Sequence, residues 1–116
     1  KLILKLETEI AGVHCYKNDI LPGELTRFRR EPDNFIDENA IEILKKDKKK
    51  VGYVRRQLAS VIAPYVDKYG IRLRCDVTGQ GDGYFTPILL KIYQPKDESQ
   101  WLSDKKAKKL KRALLH

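Results

Sequence analysis

Apolar and polar residues alternate through most of this chain, and the two-residue period of a strand fits nearly every stretch. Leu2, Leu4 and Leu6 against Lys5 and Glu7, then Ile10 to Tyr16, predict a long first strand bent near Gly12. "NDILPGE" breaks the rhythm with Pro22 and Gly23. Leu25 to Arg30 alternates again as a second strand, which Pro32 stops. Ala40 to Leu44 and Val51 to Val54 read as a third and fourth, joined through "KKDKKK", a charge run suited to a solvated hairpin tip. The spacing then changes: Leu58, Val61, Ile62, Tyr65 and Val66 share one helical face between Arg55 and Tyr69, with Gly70 at the C-terminal stop. Pro64 lies inside that helix, where an ordinary interior proline costs about 3 kcal/mol, so a kink or two short turns is expected. Ile71 to Val77 and Thr86 to Tyr93 complete the strands, linked by the glycine loop "TGQGDGYF". After Gln94, Trp101, Ala107, Leu110 and Leu114 form a helical stripe opposite Lys105, Lys106, Lys108, Lys109, Lys111 and Arg112, with Ser103 placed to cap it.

Six short strands around one central helix, with no obvious parallel crossover, predict a mainly β fold. The expected architecture is a small antiparallel barrel, OB-like or SH3-like, with a C-terminal helix. Residues 1–96 would form the barrel domain, and residues 97–116 a basic amphipathic helix or tail that docks, binds phosphates or frays.

Composition adds limits. At 116 residues, 41% of them apolar, the chain holds one domain with enough core to fold alone. No run approaches the roughly 18 apolar residues of a membrane span, and "KLILKLETEI" is too short and charge-interrupted for a signal peptide. A soluble, intracellular protein is expected, cytoplasmic in a bacterium or nuclear in a eukaryote. There is no methionine, so Lys1 is not a translation start, and a trimmed chain or a piece of a longer one is expected. Cys15 and Cys75 lie far apart within apolar alternation and read as buried, reduced thiols.

The formal net charge is +8, unevenly spread: residues 1–43 hold six basic and nine acidic groups, leaving +11 for the remainder. Such a basic region favours a polyanion, nucleic acid before membrane, with lysine-rich solubility as the plain alternative.

Catalytic signatures are weak. "TGQGDG" lacks the lysine of a phosphate-binding loop and leads into a strand. A nuclease-type pairing of Asp33 with Glu42 would need lysine at position 44, which is Leu44, and Lys45 points to the opposite strand face. His14 abuts Cys15, but adjacent strand residues face apart. Neither catalysis by this domain nor a metal or cofactor is expected. What remains is binding chemistry: Arg29, Arg30, Lys50, Arg55 and Arg56 interleave with Phe28, Phe35, Tyr53, Tyr84 and Phe85. Arginine holds phosphates and aromatic faces stack on unpaired bases, although Phe28 and Tyr53 also suit a core.

Taken in order, Gly12, Gly23-Glu24, "REPDNFIDENAI" (30–41) and "VGYVRRQLA" (51–59) resemble the HIRAN domain family, over about Ile10 to Tyr93. The resemblance implies an OB-like barrel module, found alone in bacteria and at the front of Swi2/Snf2-type fork-remodelling proteins in eukaryotes, that binds the 3′-hydroxyl end of single-stranded DNA. It implies that Asp37 accepts a hydrogen bond from the terminal hydroxyl, with Asn34 beside it and Asp33 in the same loop. Tyr53 falls near the end nucleotide, Arg56 on a phosphate contact, and Phe85 near an aromatic that packs against the strand. The family's two base-clamping tyrosines correspond to Cys15 and Ile36, and an arginine to His14; Phe35 or Tyr84 would have to stack in their place.

The expected function is therefore a non-catalytic module binding single-stranded DNA at or near a 3′-hydroxyl end. Lys50, Arg55 and Arg56 would hold phosphates, and a helicase or nuclease domain or partner would work alongside. The alternatives are a protein-interaction or scaffold module, and an accessory domain of a larger DNA-processing enzyme. The motif residues also have purely structural uses: Asn34 in a left-handed turn, Asp37 capping backbone amides, and Arg30 pairing with Asp37.

Overall fold

The computed structural model describes residues 1–13 and 20–115 and turns each alternating stretch into a strand. In chain order these are β1 (Leu2–Ala11), β2 (Thr26–Arg30), β3 (Ile41–Lys45), β4 (Lys50–Val54), helix α1 (Arg56–Tyr69), β5 (Arg72–Val77) and β6 (Thr86–Tyr93). A 3₁₀ turn (Glu98–Gln100) and helix α2 (Asp104–Leu114) follow. All pairings are antiparallel, in the order β2-β3-β4-β1-β6-β5. The two end strands meet where the Thr26 hydroxyl lies 3.4 Å from the Cys75 carbonyl and 3.3 Å from its Sγ. The sheet thereby curls into a nearly closed six-stranded barrel, the mainly β architecture that the alternation predicts. β1 ends at Ala11, before Gly12 and short of the expected Tyr16, and the rest of that expected strand from residue 14 lies outside the described residues; the other strand limits differ from expectation by a residue or so, β3 starting at Ile41 and β4 at Lys50.

Period-two patterning explains the core. In β6, Ile88, Leu90 and Ile92 point inward and are buried, meeting Ile10 from β1, Ile43 from β3 and Cys75 from β5. One side of α1 closes the barrel with Ala59, Ile62 and Ala63. Each buried Ile or Leu contributes about 1.5–3 kcal/mol, so this shared cluster is the main source of stability.

Of the kink or two short turns expected at Pro64, the two short turns are not seen, since α1 runs through it as 14 continuous residues. Pro64 and Ser60 are both exposed, so the carbonyl deprived of its donor can be hydrated rather than buried. Gly70 ends the helix in the left-handed region at φ 72°, its N–H donating to the Val66 carbonyl at 3.0 Å.

The tail docks. Ser103 accepts from the Lys106 N–H at 3.2 Å, while Leu110 and Leu114 are buried in the common core. Upstream, the buried Gln94 side chain accepts from Leu102 N (2.8 Å) and donates to Leu102 O (3.3 Å), and the Trp101 indole donates to Pro95 O at 2.8 Å. No helix among the described residues is long and apolar enough to cross a membrane.

Gly52, inside the "VGYV" strand, is a close-approach glycine. A Cβ there would lie 2.5 Å from the Ala11 carbonyl oxygen and 2.6 Å from Ile10 Cγ2. Gly52→Ala is expected to destabilise the domain by about 1–3 kcal/mol, measured as a lower urea midpoint; an unchanged midpoint would mean that β1 and β4 are not this tightly apposed.

Candidate nucleic-acid interface

The segment between β2 and β3 is polar yet ordered. Asn34 organises it: its Oδ1 accepts from the backbone N–H groups of Ile36 (2.9 Å) and Asp37 (3.0 Å). Asp37 Oδ1 in turn accepts from Asn39 N at 2.9 Å, and Ala40 N donates to Asp37 O at 3.0 Å. The turn and the acceptor are thus one structure.

Behind the loop lies a network of charges. Glu42, on β3, is fully buried, and its carboxylate meets Arg29 of β2 on one side and Lys50 of β4 on the other, the latter at 3.0 Å. Lys50 also reaches Glu31 Oε2 at 3.2 Å and the Tyr53 hydroxyl at 3.0 Å. That hydroxyl donates to Glu31 Oε1 at 2.7 Å, and Asn34 Nδ2 donates to the same oxygen at 3.0 Å. A continuous chain therefore runs from buried Glu42 through Lys50 and Glu31 to Asn34, and from there to the backbone carrying Asp37. Burial alone would raise the Glu31 pKa, but hydrogen bonds from Tyr53, Asn34 and Lys50, with the Lys50 charge, outweigh it and lower the value from 4.5 to about 2. Burial would likewise depress Lys50, but its bonds with Tyr53, Glu42 and Glu31 raise it.

In front of the loop is an open groove of about 600 Å³, lined by residues 32–39 with Arg56 and Ser60 of α1. Arg56 Nε sits 3.8 Å from Asp37 Oδ2, and its guanidinium lies 3.4 Å from the Ile36 carbonyl. Phe35 and Ile36 stand almost wholly in solvent, at 101% and 79% exposure. Side chains this apolar are not left there by core packing. The charges lining the groove are Asp33, Asp37 and Glu38 against Arg56, so the lining is net acidic.

Five expected site residues, Asp33, Asn34, Phe35, Asp37 and Arg56, thus converge on one groove. Arg55 is exposed at the N-cap of α1 beside them. Tyr53 and Lys50 stand behind the groove, and Lys50, expected to hold a phosphate, is engaged by two carboxylates instead. Phe85 and Tyr84 are exposed on the β5–β6 loop, which Asp82 Oδ1 shapes by accepting both of their N–H groups. They do not line the groove, although the registers Ala11↔Tyr53 and Ile10↔Thr86 bring that loop to the same end of the barrel. His14 and Cys15 lie outside the described residues. Arg30, expected to pair with Asp37, turns the other way: it forms a two-pronged pair with Asp67 of α1 (2.9 and 3.0 Å) and donates to Ala40 O and Glu38 O. Phe28 packs against the core. Glu31 was not anticipated; its one sequence signal is an acceptor three residues before an asparagine.

The Glu31 shift fixes a pH dependence. A carboxylate depressed on folding stabilises fully above its unfolded value, near 4.5, and that stability is lost as pH falls towards about 2. Glu31→Gln should therefore show a shallower loss of urea midpoint between these pH values than the parent protein; parallel curves would remove Glu31 as the cause.

Comparison with known proteins then gives a family match: residues 3–97 fit the HIRAN domain model. Helicase-like transcription factor of Oryctolagus cuniculus is 26% identical over 95 residues, 82% of this chain and 10% of that protein. A Fanconi-associated nuclease 1 homolog of Oryza sativa subsp. japonica is 30% identical over 107 residues, 87% of this chain and 11% of that protein. This chain thus spans about a tenth of the length of these curated relatives. Among solved structures, the crystal structure of the HIRAN domain of human HLTF superposes with a TM-score of 0.80 at 22% identity, covering 97% of this chain and 91% of that one. The NMR structure of the HLTF HIRAN domain in its DNA-bound conformation gives 0.74 at 21% identity, covering 97% and 89%.

Proposed function

The chain belongs to the HIRAN domain family, and from that premise we propose that it is a non-catalytic module that binds single-stranded DNA at a 3′-hydroxyl end. The observation that carries this reading is the acceptor Asp37, held open to an acidic groove with a single guanidinium, Arg56, 3.8 Å away. Support comes also from the DNA-bound state of the structurally similar HLTF domain and from the helicase-like and nuclease relatives. In a larger protein the module would present an end to a helicase or nuclease domain.

The chemistry follows from charge. A terminal hydroxyl donates to the Asp37 carboxylate, and Arg56 meets the adjacent phosphodiester. A 3′-phosphate offers no equivalent neutral donor and sets its charge against Asp33, Asp37 and Glu38. At an effective dielectric near 20, two charges about 4 Å apart repel by about 4 kcal/mol before salt screening. Selectivity for the hydroxyl is the consequence. Phe35 supplies an exposed ring at the groove where a base can stack; Ile36, at the position of a family tyrosine, supplies contact but no aromatic face.

Fluorescence anisotropy with 3′-hydroxyl and 3′-phosphate oligonucleotides tests this. Asp37→Ala should weaken the hydroxyl strand alone and collapse the difference between the two; Arg56→Ala should weaken both. If Asp37→Ala leaves their ratio unchanged, the end-reading role is wrong. Phe35→Ala should cost about 1–3 kcal/mol for single strands without altering the end preference, which separates stacking from hydroxyl recognition.

A further inference from the structure

We infer that the outer face of α2 is a second nucleic-acid site, one that holds the backbone of double-stranded DNA. In 11 residues α2 carries Lys105, Lys106, Lys108, Lys109, Lys111 and Arg112 against one carboxylate, Asp104. All six are solvent-accessible, and among the described residues none forms an ion pair with a carboxylate. Lys105 with Lys109, and Lys108 with Arg112, stand four residues apart as like charges, each such pair working against the helix by a few tenths of a kcal/mol. The helix persists because Ser103 caps it and Leu110 and Leu114 bury its other side. A rigid, unneutralised cationic row is what remains facing outward.

Three observations choose the occupant. First, the groove is net acidic, so the attraction that brings a polyanion to this protein must come from elsewhere on the surface. Second, within α2 the outward face offers no large apolar residue to a lipid interface, because Ala107, Leu110 and Leu114 face the barrel and the exposed Leu115 lies beyond the helix at its C-cap. Third, the row from Lys105 to Arg112 is about 10 Å long, a length over which a DNA duplex carries on the order of six charges. Position fits as well: Lys106 Nζ lies 4.8 Å from the ring of Tyr69, at the far end of α1 from Arg56. Since α1 is about 20 Å long, the row is too distant to touch the nucleotide in the groove and suits a duplex flanking it.

The test uses the whole chain with Lys105→Gln, Lys108→Gln, Lys109→Gln and Arg112→Gln combined, and a matched variant in which the three lysines become arginine. Circular dichroism checks that both remain folded. The probes are a 3′-hydroxyl single strand, the same strand as an overhang on a duplex, a blunt duplex, and phosphatidylserine vesicles, the nucleic acids at several salt concentrations. The glutamine variant should lose roughly tenfold or more on both duplex probes, with the magnitude of the salt slope smaller by about 3–4; it should keep its single-strand affinity, and the arginine variant should behave as the parent. Equal loss on the single strand, no loss on duplex, or loss confined to vesicles would each overturn the inference. This site goes beyond the end-reading proposal and rests on it only for placing a nucleotide in the groove; the two fail separately, because an Asp37→Ala protein that shows no change in end preference should still lose duplex affinity when the four glutamine substitutions are added to it.

Discussion

A buried carboxylate organises this domain. Removing Glu42 from water costs several kcal/mol, and the cost is recovered only if charged partners reach it in good geometry. Arg29 and Lys50 do so from the two strands that flank β3. The register sets Arg29 opposite Glu42 and Glu42 opposite Tyr53 on one rung across three strands, and Lys50, which stands opposite Leu44, reaches back along β4 to the same carboxylate. A slip of one residue would put Ile41 or Ile43 among those cations and Glu42 among isoleucines. The ion cluster thus specifies pairing where hydrophobicity alone, with four consecutive buried residues from Ile41 to Leu44, does not.

From that rung the constraint passes outward. Lys50 binds Glu31, Glu31 binds Asn34, and Asn34 fixes the backbone of Ile36 and Asp37. On the opposite side Arg30 ties the Glu38 and Ala40 carbonyls to Asp67 on α1. A loop held from both flanks by charge-assisted bonds has little conformational freedom left to lose on meeting a ligand. The exposed Phe35 and Ile36 are presented by a rigid support.

Legibility in the sequence followed the range of the interactions. Short apolar stretches bounded by turn residues located all six strands, with a period-two trace where a strand is half-buried, and Gly70 and Ser103 marked helix ends as equally local signals. Whether Pro64 would divide α1 was not legible, because its cost depends on whether the freed carbonyl is buried, which only the packing of α1 reveals. That Asn34, Asp37 and Arg56 would share one groove was legible through the family motif. Partner choice was not: Arg30 finds a carboxylate 37 residues away, and Lys50 sits in a run of lysines whose composition says nothing about which one turns inward. The register of β4 decides that, and Glu31 was overlooked because its importance lies wholly in Lys50, Tyr53 and Asn34.

Charge is also divided across the fold in a way that net charge conceals. The +8 total suggests a uniformly basic surface, yet the groove carries three carboxylates for one guanidinium while an 11-residue helix carries six cations for one carboxylate. A site meant to hold phosphates along a strand would not be lined that way, since each carboxylate opposes the attraction that gathers nucleic acid. A site that accepts a terminal hydroxyl, as proposed, would be, because such a hydroxyl is itself neutral and able to donate. In this reading affinity and selectivity are assigned to different surfaces, and the weaker the groove's own attraction, the more its occupancy reports the chemistry of the end rather than the charge of the chain.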